Sequence, residues 1–152
     1  MIFCWYRAVS EKERLLSKMA QIVPVVNMDQ LVVDFSVSSV YIDGYAGVKR
    51  MVEHLIMNGH RKIAVIRALQ RFLSVDSRYQ GYVDALKENN IELSEKLTGK
   101  SDFSVRGGKV ATHRLLGNSK PAAIITVDDL MAHGSSDRQD WKPGESDKKY
   151  CF

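Results

Sequence analysis

Between Val37 and Ile66 the chain reads VSSVYIDGYAGVKRMVEHLIMNGHRKIAVI, and its apolar positions change period twice. Ser39–Ile42 is rich in β-branched and aromatic residues, the kind that suit a pleated, half-buried strand. Asp43 and Gly44 interrupt it. Val48, Met51, Val52, Leu55 and Ile56 then recur at three- and four-residue spacing, which predicts a helix with one apolar face. Lys49 and Glu53 fall four apart on its other face. Gly59 predicts the helix end, because glycine enters the left-handed conformation without a Cβ clash. Ile63–Ile66 is a continuous apolar run, the mark of a strand buried on both faces. Strand, helix and strand together predict a crossover unit of one parallel sheet.

The same alternation runs through most of the chain. Ile2–Tyr6 reads as a strand, and a helix from Ser10 carries Leu15, Leu16 and Met19 on its apolar face. Pro24–Met28 is the next strand, and Asp29 lies just past its end, where parallel sheets hold ligands. After Ile66 a loop, Arg67–Asp76, leads to a helix with Tyr79, Tyr82, Val83 and Leu86 on one face, ended by Asn89–Asn90. Ile91–Lys100 reads as a connection and Ser101–Gly107 as a loop before a helix over Gly108–Leu116. Ala122–Val127 is an apolar strand, and Asp128–Asp129 precedes a helix beginning LMA. From His133 to Phe152 apolar periodicity vanishes, which predicts a disordered tail.

Composition narrows the function classes. The chain has 152 residues, 45% hydrophobic and 26% charged, as globular domains do. Its net charge of +4 is spread among 18 acids rather than gathered on one basic face, so nucleic-acid binding by the chain itself is not indicated. Cys4 and Cys151 stand at opposite ends and suggest neither a disulfide framework nor a metal site, which fits a reducing cytoplasm. No apolar run reaches a membrane-spanning length. His54, His60, His113 and His133 lack metal-ligand spacing. Gly107–Gly108 lacks the further motif residues of a phosphate loop and reads as a turn. Asp128–Asp129 could be a catalytic pair, but no nucleophile, base or metal cluster accompanies it, and a helix-capping role is favoured.

Four motifs in order, PVVxxD, DxxxG…EHL…GHRKIA, SRxxGYxxAL and AIxxxDDLMAxG, make residues 2–133 resemble the effector-binding region of the lactose/galactose-repressor (LacI–GalR) family of transcription regulators. The resemblance implies an α/β, periplasmic-binding-protein-like I fold with parallel sheets flanked by helices, here incomplete, in two partial lobes. Residues 1–66 would form part of the first lobe and 67–133 part of the second, with 134–152 a disordered or out-of-frame tail. In the family two lobes close over a small effector, a sugar or nucleobase, and closure alters DNA affinity through a separate helix-turn-helix, which this chain lacks. The implied ligand-binding residues are Asp29, Ser74 in the loop after the IAVI strand, Arg78, Phe103 as an aromatic plate, and Asp128. Two acids, an arginine fork and an aromatic face suit a carbohydrate. The resemblance implies no catalysis, metal, cofactor or membrane partner, and a homodimeric parent. The alternatives are a stand-alone cytosolic sugar-binding module or a non-functional gene remnant.

Overall fold

The computed structural model describes residues 2–4, 9–28, 37–69 and 73–136. In chain order its elements are β1 (Ile2–Cys4), α1 (Val9–Ala20), β2 (Val26–Met28), β3 (Ser38–Val40), α2 (Gly44–Met57), β4 (Ile63–Ala68), α3 (Leu73–Glu88), a 3-10 turn (Glu95–Leu97), β5 (Thr98–Ser101), α4 (Val105–Asn118), β6 (Ala123–Thr126) and α5 (Asp129–Ser136). The strands make two three-stranded sheets, ordered β1-β2-β3 and β5-β4-β6. Every pairing is parallel, so the expected α/β class with two parallel sheets is observed.

The division between the sheets differs from the expectation. Among the described residues, one compact unit takes those up to Asp43 with Leu73 and Ser74, the other those of 44–69 and 75–136. β3 pairs with β2, whereas β4 is the central strand of the second sheet. The β3–α2–β4 segment is therefore not a crossover within one sheet. The boundary falls after Asp43 rather than after Ile66, and α2 and β4 belong to the second unit. Local periodicity identified the strand, helix and strand of this segment but carries no information about which sheet a strand joins.

In the first unit the register pairs Ile2 with Val26 and Val26 with Ser38. Leu16, Val25 and Val37 form its buried cluster, with Met19 and Ala20 packed against them.

In the second unit side chains alternate across β4 and β6 as a doubly covered sheet requires. Ile63, Val65, Ala123 and Ile125 pack with Val48, Val52, Leu55 and Ile56 of α2 and with Tyr82, Ala85 and Leu86 of α3. On the opposite face Ile66 lies near Gly99, which abuts Leu115 and Ala111 of α4. β4 is buried at every position except Arg67, as its apolar run predicts. The α2 helix ends at Gly59 with φ 87°; Gly59 N–H donates to Ile56 O and His60 N–H to Leu55 O. These two bonds close the last turn and satisfy carbonyls the helix leaves open. Asn90, φ 54°, ends α3 in the same way, with Ile91 N–H donating to Leu86 O.

Three boundaries move. Ile91–Lys100, read as a connection, contains the 3-10 turn and most of β5, because a polar TGKS edge strand has no apolar signature. The third helix of this unit, α4, begins at Val105 rather than Gly108, since Ser104 caps it by accepting from Gly107 N–H at 2.9 Å. Gly107 and Gly108 are thus helical, not a turn. α5 continues to Ser136, so residues 134–136 are helix and not tail. Ser135 Oγ donates to Met131 O and accepts from Thr112 Oγ1, each at 2.8 Å, fixing that last turn against α4.

Candidate functional site

Parallel strands gather the loops after their carboxyl ends at one edge of a sheet. In the second sheet Ala68 pairs with Ser101, and Ile66 with Thr126, so β4, β5 and β6 end side by side. Arg78, Phe103 and Asp128 all come after those ends. The structure brings Arg78 and the Asp128 loop together directly: Arg78 Nη1 donates to Val127 O at 2.7 Å. A guanidinium has five N–H donors. This bond uses one, and the other four have no acceptor among the described residues.

Two glycines place that arginine. A Cβ at Gly44, the first residue of α2, would sit 2.8 Å from Arg78 Cγ and 3.0 Å from its Nε. The arginine stem therefore lies against the start of α2 where only glycine leaves room. One turn further on, the backbone of α2 at Tyr45 O and Lys49 N closes onto Gly81 so tightly that a Cβ would overlap it. The SRxxGY motif thus encodes a helix crossing as well as a side chain. Tyr45 Oη donating to Asp84 Oδ2 at 3.0 Å and the Lys49–Glu88 ion pair at 2.6 Å lace the same seam. Lys49 accordingly pairs across to α3, not with Glu53 on its own helix. Tyr82 Oη donates to Ile63 O at 2.9 Å and ties α3 to β4.

Asp128 is first of all a helix cap. Its Oδ1 accepts from Leu130 N–H at 2.9 Å and Met131 N–H at 3.3 Å, and its main-chain oxygen accepts from Ala132 N–H. Oδ2 has no partner among the described residues. Asp129 Oδ1 also accepts from Leu130 N–H, so the acid pair serves the start of α5. This geometry is that of a carboxylate at a positive helix end.

Phe103 is half-buried and has φ 58°, a left-handed conformation unusual for a large side chain. It separates β5 from the cap residue Ser104. Ser104 Oγ donates to Asp102 Oδ1 at 2.6 Å, and this bond holds the Asp102 carboxyl below the usual carboxylate range. Sequence reasoning missed this Asp102–Ser104 pair, although a serine three residues before a glycine at a helix start was the available signal. Ser74 lies in the first turn of α3, one turn before Arg78, and not in a loop, because the helix begins at Leu73. Ser74 clusters with the first unit. Asp29 lies outside the described residues. Arg67 is engaged elsewhere: its guanidinium is 4.3 Å from the Tyr79 ring centroid and 3.5 Å from Asp76 Oδ1. Among the described residues no three His, Cys, Asp or Glu side chains gather as a metal site would need.

The family model for periplasmic binding proteins and the sugar-binding domain of the LacI family matches residues 7–144. The chain belongs to this family. Among its relatives, the HTH-type transcriptional repressor PurR of Mannheimia succiniciproducens is 29% identical over 82% of this chain and 38% of its own length. A LacI-family sugar-binding transcriptional regulator from Escherichia coli, solved with phosphate, superposes with a TM-score of 0.74 at 25% identity over 88% of this chain and 49% of its own. The regulator CelR in its cellobiose complex gives 0.72 at 28% identity, over 88% and 41%. The chain thus spans little more than a third of that curated repressor and under half of each of the two solved regulators. The LacI-family match continues past His133, where the apolar periodicity of the sequence breaks off.

Proposed function

We propose that this LacI-family effector domain binds a small polyhydroxylated ligand, a sugar in the first instance, as the sensing part of a transcription regulator. The observation that carries the reading is the Arg78 guanidinium fixed on Val127 O beside Asp128, past the carboxyl ends of β4 and β6. One donor anchors the fork and four remain for ligand oxygens. Oδ2 of Asp128 supplies an acceptor for a ligand hydroxyl, and Phe103 an apolar face. A fork of donors, an acceptor and an aromatic face are the groups that recognise a sugar ring. Asp29 and Ser74 are proposed as further contacts by resemblance. CelR's cellobiose complex supports the sugar class. Coupling to DNA would pass through a helix-turn-helix of the sort that gives the PurR relative its name, and the parent would act as a homodimer.

The test is a thermal melt of the chain against a panel of mono- and disaccharides, sugar phosphates and nucleobases. A ligand at about a hundred times its Kd stabilises the folded state by about 2.7 kcal/mol. The reading predicts a raised melting temperature for at least one sugar and no such rise in Arg78→Gln. A melt that no panel member shifts would overturn it.

A further inference from the structure

We propose that the outer edge of β5 docks an extended, acidic peptide segment of a partner protein by strand addition. Among the described residues β5 has one neighbour, β4, and is an edge of its sheet. Ser101 O accepts from Leu69 N–H at 2.7 Å, so Ser101 faces β4. Main-chain groups of a parallel strand alternate sides residue by residue. Gly99 therefore also faces β4, and Lys100 turns its N–H and C=O outward, where a further strand would pair. Thr98 N–H is taken by Glu95 O of the preceding turn, which leaves Thr98 O on the same outer edge.

A groove of about 280 Å³ runs along this edge between β5 and the carboxyl-terminal half of α4. Gly99, Ala111 and Leu115 give it a low apolar floor. Lys96, Lys100 and Arg114 line it, against one acid, Glu95. All three cations are exposed and have no ion-pair partner among the described residues. Lys62 adds a fourth nearby: its Nζ donates to Ser119 O at 3.1 Å, and the Ser119 hydroxyl donates to Lys96 O. Side chains alternate along β5, so Gly99 turns toward α4, while the Lys100 side chain leaves from the other face and Lys100 borders the groove at the strand's edge. Cations thus stand on both faces of any added strand, which favours acids at consecutive positions rather than one acidic face. Lysines on an edge strand also deter pairing with ordinary apolar strands. An acidic segment is the partner that escapes this penalty.

The groove lies apart from Arg78 and Asp128. It is lined by β5 up to Lys100 and by α4 from Ala111 to Asn118, and shares no lining residue with the candidate site of Arg78, Phe103 and Asp128. Occupation of the edge is therefore separable from effector binding.

The probe is fluorescein-labelled hexaglutamate, titrated against the whole chain and followed by anisotropy at low salt. The expected result is saturable binding, weakened at least about tenfold in Lys100→Glu and in Arg114→Glu and by raised salt. Hexaglutamate with alternate backbone amides N-methylated separates pairing from simple charge attraction, since it keeps every carboxylate and loses the strand donors. It is expected to bind at least about tenfold more weakly. Circular dichroism confirms that each variant is folded, and the N-methylated peptide tests the edge with the protein unaltered. Three results overturn the proposal: no saturable binding up to about 1 mM peptide, undiminished binding by both variants, or equal binding of the N-methylated peptide.

Discussion

Arg78 shows how much surrounding structure holds one side chain proposed for ligand binding. Its stem lies against Gly44, its guanidinium is anchored on Val127 O, and its helix is locked to α2 at Gly81. Arg78→Lys keeps the charge but loses the planar fork, so the ligand-induced rise in melting temperature should fall by most of its value while the unliganded melt moves little. A calorimetric titration with the best ligand of the panel checks this; unchanged affinity would show that charge alone matters. Tyr82 gives a test in pH. Burial, with a smaller contribution from Tyr79, pushes its phenol far above the ordinary tyrosine range. The unfolded chain ionises this group near pH 10, while the folded chain keeps the proton. Stability from this group is therefore complete below about pH 10 and declines as pH rises above it. Tyr82→Phe should cost about 1 kcal/mol at neutral pH through the lost bond to Ile63 O, and should flatten the alkaline decline in urea melts above about pH 10. Motifs single out both Arg78 and Asp128 as candidates, and the structure brings Arg78 to the residue before Asp128. The capping of α5 by this acid pair was legible too; the structure adds that Asp128 uses Oδ1 for it, on Leu130 and Met131 N–H.

At the scale of elements, small residues carry more than the periodicity suggests. α4 and α5 cross where Gly108 faces Met131 and Gly134 faces Val105; a Cβ on Gly108 would lie 2.8 Å from Met131 Cα, and one on Gly134 3.0 Å from Lys109 N. These are backbone atoms, which cannot swing aside as a side-chain tip can. Gly108→Ala should destabilise the second unit by about 1–3 kcal/mol despite alanine's better helix propensity, whereas Gly117→Ala, with open space around its Cβ, should be neutral or stabilising. Urea melts of the pair decide, and equal stability would mean that the helices part at little cost. As bare sequence, Gly107–Gly108 looks like a turn, because glycine marks both tight turns and close helix contacts. β5 escapes notice for a related reason: a four-residue edge strand with one β-branched residue is identified by its partner, not by its own composition. By contrast α2, β4 and β6 are plain, because their burial is continuous or strictly periodic.

Among the described residues, burial is unevenly shared between the two units. The first has strands of three residues and a buried cluster of Leu16, Val25 and Val37. The second surrounds β4 with helices on both faces, and Val52, Leu55, Val65, Tyr82, Ala85 and Ile125 are fully excluded from solvent. Apolar burial contributes roughly 25 cal/mol per Å², while ordering the backbone costs roughly 1–2 kcal/mol per residue in either unit. The unit with more buried surface per ordered residue must hold its hydrogen bonds longer. Native-state hydrogen exchange should therefore show the amides of β4 and β6 opening only near the global unfolding free energy. Those of β2 and β3 should exchange faster, by at least about a hundredfold, through openings of the first unit. Sequence patterns could not supply this contrast, because they place β4 in the first unit. Assigned there, the most buried strand would make the first unit the stable one, and the predicted order of exchange would reverse. Fast exchange in β4 with slow exchange in β2 would therefore contradict the division at Asp43, whereas slow exchange in β4 is the result required when the Ile63–Ala68 strand forms the centre of the second sheet.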